Sequence, residues 1–158
     1  MEVTCKAAAF AVIAHGDQLY GERPYSYHLQ AVAAVLIDAG IMNPDLLAAA
    51  WLHDVIEDTP VTHEQLTEAF GPVIADLAWE CTGVGKNRTE RNASIYRKIT
   101  DRSALVKVAD RIANVETSTR DSKHRSMYRK ERAAFWNAVA RRVPVSLQQR
   151  LDAAYDKD

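Results

Sequence analysis

The sequence predicts an all-α domain of eight or nine helices, on three observations. Apolar residues recur at helical spacing almost throughout, and no segment of strand length alternates. The chain has 158 residues, 47% hydrophobic and 26% charged, a length that suits one domain (1–158) with a sizeable core.

Taken in order, residues 3–15 place Val3, Ala7, Phe10 and Ala11 on one face. Gly16 to Pro24 reads as a loop, with two glycines, a proline and mixed charge. A helix over His28 to Ala39 turns Ala31, Val32, Val35 and Leu36 inward and is closed by Gly40. Pro44, at a favoured first-turn position, opens a helix predicted to run from Asp45 to about Asp58. Thr59-Pro60 stops it. Thr62 then caps a short helix, with Gln65 completing a capping box. Phe70-Gly71-Pro72 breaks the chain before an apolar helix over 73–81. Thr82 to Asn92, polar and with two glycines, reads as a mobile loop, followed by a short helix over 93–100. Ser103 is read as the cap of a helix through about Val115, with Leu105, Val108, Ala109 and Ile112 inward. After a polar, basic stretch over 117–125, Tyr128 to Arg142 forms a long amphipathic helix, and Pro144 begins the last, Val145 to Tyr155.

Composition excludes several classes. No run approaches the roughly 18 apolar residues of a membrane span, and the N-terminus lacks the basic start of a signal peptide. Cys5 and Cys81 make neither a disulfide framework nor a zinc motif, so a reducing, cytoplasmic setting is expected. The net charge of −1 hides an asymmetry: residues 86–150 carry 17 Lys and Arg against 6 Asp and Glu. An acidic half can hold cations and a basic half phosphates; two solvated surfaces pairing with each other would give the same count.

The strongest chemical signal is His53-Asp54-Val55-Ile56-Glu57-Asp58-Thr59, which follows the apolar run Leu46 to Leu52. Charged groups at the end of a buried helix are costly unless paired or metal-bound. On a helix Asp54, Glu57 and Asp58 share a face, and a divalent cation removes their repulsion. His53 adds an imidazole, a good ligand for transition metals. A second signal is Asp110 inside an apolar stripe, one turn from Asn114, with Lys107 and Arg111 on a neighbouring face. Taken alone, Asp110 reads more readily as a surface partner of Lys107 or Arg111. A third is Tyr25-Ser26-Tyr27-His28 at a helix start, where a histidine alone is more often a cap than a ligand.

The order His28, His53-Asp54, Asp110 on three helices resembles the metal-binding constellation of the HD-domain phosphohydrolases. The resemblance extends further. His15-x-x-Gln18, Pro24-Tyr25-x-x-His28, His53-Asp54-x-x-Glu57-Asp58-Thr59, Phe70-Gly71 and Lys107-x-Ala109-Asp110-x-x-x-Asn114 look like the hydrolase domain of RelA/SpoT homologues, over roughly residues 10–118. The size is similar to that of the small stand-alone alarmone hydrolases. The resemblance implies an HD-domain helical bundle and a manganese-dependent enzyme that removes the 3′-pyrophosphate from ppGpp or pppGpp, with another divalent metal as the alternative cofactor. The implied metal ligands are His28, His53, Asp54 and Asp110. Glu57 and Asp58 match the pair that positions and activates water, and Asn114 matches a residue lining the nucleotide pocket. Lys86, Arg88 and Arg91 lie in the loop where the resemblance implies basic substrate contacts.

The sequence departs from that pattern at Tyr20, where the family carries a basic residue, and at His28-Leu29 in place of His-Pro. The loop Gly21-Glu22-Arg23-Pro24 is shorter than usual, and Arg23 is expected to supply charge from another position. Cys81-Thr82-Gly83-Val84-Gly85-Lys86 stands where a Val-Thr-Lys-like segment is common. Tyr20 is expected to stack on a base. The partner implied is a small nucleotide, with no duplex nucleic acid and no membrane; a homo-oligomer stays open. Hydrolysis of another phosphorylated nucleotide and a non-catalytic metal-bound nucleotide sensor are the alternatives, the sensor disfavoured by the Glu57-Asp58 pair.

Overall fold

A computed structural model describes residues 2–118 and 123–157. The sequence reading of 117–125 therefore lies partly outside the described residues. Along the chain are α1 (Glu2–His15), a hairpin of β1 (Leu19–Tyr20) and β2 (Arg23–Pro24), α2 (Ser26–Asp38), α3 (Pro44–Leu52), α4 (Val55–Asp58), α5 (His63–Phe70) and α6 (Pro72–Cys81). There follow α7 (Arg88–Lys98), α8 (Asp101–Thr117), α9 (Lys123–Val139), a 3-10 turn (Ala140–Arg142) and α10 (Val145–Asp156). The all-α reading holds, with ten α-helices among the described residues.

The tenth arises because the helix predicted over 45–58 is two. It pauses at His53 and Asp54, and α4 restarts with Asp54 at its cap position. Three further expectations are corrected. The loop over 16–24 contains a two-residue antiparallel pairing, Leu19 with Pro24 and Tyr20 with Arg23. Asn87 caps α7 through Glu90 N–H, so Arg88 and Arg91 stand on a helix rather than in a loop. Thr100, not Ser103, caps α8, with Ser103 as the reciprocal partner of its capping box. The Thr62–Gln65 box of α5 is as expected.

Helix α8 runs through the centre and touches α2, α3, α6, α9 and α10. Its Ala104, Val108, Ala109 and Ile112 are fully buried, as are Val32 and Leu36 of α2 that meet them in one apolar cluster. Ala7 and Ala11 of α1, Leu29, Leu52 and Leu66 form a second cluster on the other side of α3. Each fully buried leucine contributes roughly 1.5–3 kcal/mol relative to exposure. The site lies where these clusters meet. His28 and Leu29 are neighbours on α2, and Ala109 and Asp110 on α8, so apolar packing fixes the polar groups beside it.

Candidate metal and active site

Three backbone segments deliver four ligand-type side chains. His28 comes from α2, His53 and Asp54 from the pause between α3 and α4, and Asp110 from α8. The pause aims His53 inward: its Nδ1 lies 2.8 Å from the Ala50 carbonyl, one of those that a helix end leaves without an intrahelical partner. That bond puts the proton on Nδ1 and the lone pair on Nε2. Asp54 makes no capping bond of its own, so its carboxylate is free to face the site.

Nε2 of His53 lies 3.0 Å from Asp54 Oδ2 and 3.6 Å from Asp110 Oδ1. Nε2 of His28 lies 3.1 Å from Asp110 Oδ1 and 3.8 Å from Asp54 Oδ2. Ligand atoms of His28, His53 and Asp54 all fall within 4.8 Å of one another. Both rings are buried, and His53 Nε2 is a buried atom with no hydrogen bond of proper geometry among the described residues despite the nearby carboxylates. Ring nitrogens and carboxylate oxygens therefore face each other at contact distance, which calls for a proton or a metal cation between them. Burial would depress the His53 pKa, but Asp54 and Asp110 outweigh it and push it up to about 10. Burial likewise favours a neutral Asp54, yet the imidazoles hold its carboxyl below the usual range. Two imidazoles and two carboxylates calling for a cation fit a divalent metal, and His28, His53, Asp54 and Asp110 could hold it.

Neighbouring side chains fix these groups. Tyr25 donates its hydroxyl to Asp54 Oδ2 at 2.6 Å. Lys107 Nζ lies 2.7 Å from Asp110 Oδ2, and Asn114 Nδ2 donates to Asp110 Oδ1 at 2.6 Å. Tyr20 donates to Asn114 Oδ1 at 2.9 Å while its ring stacks on His28, centroids 4.8 Å apart. The acidic pair is anchored separately. Glu57 Oε2 accepts from the Gly83 N–H at 2.8 Å, and Asp58 Oδ2 accepts from Gln18 Nε2 at 2.9 Å. Partial burial, with Asp54 and Asp58 nearby, raises the Glu57 pKa despite the Gly83 and Lys107 contributions. Gly83 must be glycine for this approach, since a Cβ there would come within 2.7 Å of Arg91 Cβ.

All of this opens on one cavity of about 710 Å³. Asp54, Glu57, Asp58 and Asp110 line it, and so do Arg88, Arg91, Lys107 and Arg111, so the two charge halves of the sequence meet there. Tyr20, His28 and Asn114 also line it. Arg23 and Lys86 are not among the lining residues: Arg23 lies over the Tyr27 ring, 4.2 Å from its centroid, and Lys86 is exposed in the turn before α7. Lys107 and Arg111 are carboxylate partners, Arg111 of Glu131 at 3.0 Å, and both also face the cavity. The wall from α9, with Glu131 holding Arg88 at 2.6 Å and with His124, Met127 and Tyr128 lining the cavity, was not anticipated from sequence. The only hint was a spacing of seven between Tyr128 and Phe135, which places both on one helix face.

Comparison with known proteins accords with this geometry. A family model described as HD domain matches residues 7–146. A guanosine-3′,5′-bis(diphosphate) 3′-pyrophosphohydrolase of Aquifex aeolicus is 38% identical over 71% of this chain, and the bifunctional (p)ppGpp synthase/hydrolase SpoT of Escherichia coli K12 is 34% identical over 77%. The chain spans only 17% and 19% of those two relatives. The solved structure of a metazoan ortholog of SpoT, described as hydrolysing ppGpp with a role in starvation responses, matches with a TM-score of 0.85 and 27% identity, covering 98% of this chain and 94% of the other. A Listeria monocytogenes structure, 20% identical with a TM-score of 0.64 over 82% of this chain and 99% of its own, shares the fold. The chain thus belongs to the HD-domain family and is related within it to the SpoT-type hydrolases.

Proposed function

We propose that the protein is a metal-dependent phosphohydrolase that removes the 3′-pyrophosphate from the guanosine alarmones ppGpp and pppGpp, with Mn²⁺ as its metal. The observation that carries this reading is the convergence of two buried imidazoles and two aspartates beside an anchored Glu57-Asp58 pair, in a cavity also lined by arginines. The kinship with 3′-pyrophosphohydrolases and with the metazoan ppGpp hydrolase supports it.

His28, His53, Asp54 and Asp110 would hold the ion, which when bound supplies Lewis acidity toward a phosphoryl oxygen and toward water. Asp58, assisted by Glu57, accepts the proton of the attacking water; the raised pKa of Glu57 brings it nearer the range useful for proton exchange. Arg88 and Arg91 neutralise the pyrophosphate from α7, with Lys86 and Arg23 contributing charge from its rim. Asn114 faces the nucleoside and Tyr20 offers a ring to the base. Water adds to the phosphorus of the 3′-ester and the bond to the 3′-oxygen breaks. That oxygen takes up the proton that the acidic pair removed from water, giving a nucleotide with a free 3′-hydroxyl and inorganic pyrophosphate and restoring the carboxylates. The setting is a reducing cytoplasm, where Cys5 and Cys81 stay thiols.

A second substrate reading, another phosphorylated nucleotide, is favoured by one observation: Tyr20 replaces a basic residue and spends its hydroxyl on Asn114 and Thr117. Product analysis separates the two. Incubation with ppGpp and Mn²⁺ should release GDP and pyrophosphate in equal amounts and stop with a chelator. Absence of turnover on ppGpp, with faster phosphate release from another nucleotide, would sink the alarmone reading.

A further inference from the structure

Of the motif His15-x-x-Gln18, the site as described uses only the bond from Gln18 to Asp58. His15 closes α1 and is buried, at 7% exposure. Its ring stacks on Tyr25, centroids 4.5 Å apart and planes 25° from parallel. Its Nδ1 lies 2.7 Å from Gln18 Oε1, and Gln18 Nε2 donates to Asp58 Oδ2 at 2.9 Å. The Gln18 backbone is itself held at both ends, its N–H on the His15 carbonyl at 3.0 Å and its carbonyl on the Tyr25 N–H at 3.0 Å.

The hydrogen bonds leave one assignment of atoms. An ionised carboxylate only accepts, so Gln18 must turn its NH₂ to Asp58 and its oxygen to His15. His15 must then carry its proton on Nδ1, leaving its buried Nε2 without a hydrogen-bond partner among the described residues. The amide is thereby fixed against a flip, and Asp58 is fixed against rotation. The same imidazole face supports Tyr25, whose hydroxyl donates to Asp54.

We propose that His15 and Gln18 are positioning residues of this site. A relay from His15 through Gln18 sets the Asp58 carboxylate, and the His15–Tyr25 stack seats the hydroxyl that orients Asp54. The proposal rests on the readings of Asp58 as proton acceptor and of Asp54 as metal ligand. Partners that orient metal ligands and catalytic groups have effects of about 10–100-fold when removed, so both branches are measurable.

The test uses the full chain with two readouts: kcat and KM on ppGpp at saturating Mn²⁺, and the Mn²⁺ dissociation constant by calorimetry on chelator-stripped protein. Gln18→Leu should lower kcat about 10–100-fold with KM and Mn²⁺ affinity unchanged. His15→Phe, which keeps a ring on Tyr25, should behave the same way. In an Asp58→Asn background, Gln18→Leu should add no further loss. His15→Leu, which removes the ring, should also weaken Mn²⁺ binding about tenfold. The relay is overturned by a parental kcat in Gln18→Leu, by the same loss in the Asp58→Asn background, or by a parallel fall in Mn²⁺ affinity. Equal Mn²⁺ affinity in His15→Phe and His15→Leu overturns the Tyr25 branch, and this arm needs no turnover. If Asp58→Asn alone keeps the parental kcat, the reading of Asp58 itself fails, and the relay with it.

Discussion

Lys107 holds one oxygen of Asp110 and leaves the other to the histidines and Asn114. Its Nζ sits 2.7 Å from Oδ2, while Oδ1 lies 3.1 Å from His28 and 3.6 Å from His53. Burial works against both charges, yet each partner stabilises the other: the Lys107 pKa is raised and that of Asp110 lies well below the carboxylate range. The ion pair orients the carboxylate and keeps it ionised for a cation.

Lys107→Met should therefore destabilise the fold. Breaking a buried pair leaves an uncompensated charge and costs about 3–5 kcal/mol. Urea unfolding should show that loss in metal-free protein, and Mn²⁺ should recover part of it by binding only the folded state. An unchanged midpoint would show that Asp110 does not depend on Lys107.

Gly83→Ala should separate the acidic pair from the metal. The added Cβ would meet Arg91, so the 82–87 loop must shift and withdraw its N–H from Glu57. Misplacement by about 1 Å can cost on the order of 10²-fold in rate. The expected result is a lower kcat with Mn²⁺ affinity intact. A parental kcat would mean that the Gly83 contact does not position Glu57.

The basic residues should divide by position. Arg91 lines the cavity, 3.6 Å from Glu57, whereas Arg23 and Lys86 stand off it. Arg91→Ala should raise KM for ppGpp more than Arg23→Ala or Lys86→Ala, and each of these two should raise KM more than it lowers kcat. Steady-state kinetics of the three variants decides; a larger effect at Arg23 would mean that its loop moves over the substrate. A strong preference for a 5′-diphosphate over a 5′-monophosphate, unchanged in Arg23→Ala, would deny Arg23 any part in reading that end.

The two cysteines report on the fold. Burial pushes the Cys81 thiol up to about 12, and Cys5 is exposed. One thiol should react with a disulfide reagent in native protein near neutral pH, and two in denaturant. Rapid reaction of both in the native state would place Cys81 outside the core.

The acidic run was legible because ionisable residues at the end of an apolar helix are costly, as at His53 and Asp54; His28 and Asp110 joined the candidate set only through the family resemblance. Asp110 alone favoured a surface ion pair with Lys107 or Arg111; the pair with Lys107 exists but is largely buried, and Arg111 pairs with Glu131 instead. The carboxylate has two oxygens, so pair and ligand are compatible. The pause at His53-Asp54 was hidden because both keep helix-like dihedrals and the apolar phase runs on into Val55. The hairpin was hidden because two residues per strand cannot display alternation. The start of α7 lay in a polar, glycine-bearing run whose capping Asn87 resembles a loop residue. Gln18 and Asp58 are 40 positions apart, and no local period links them.

The central claim is that Asp54 binds the metal and Asp58 acts on water. Calorimetric Mn²⁺ titration of Asp54→Asn and Asp58→Asn, with turnover of ppGpp by the same samples, tests it most directly. Asp58→Asn should bind Mn²⁺ as the parent does and lose about 10²–10⁴-fold in kcat, while Asp54→Asn should lose both binding and turnover. Parental Mn²⁺ affinity in Asp54→Asn, or parental turnover in Asp58→Asn, would contradict the account.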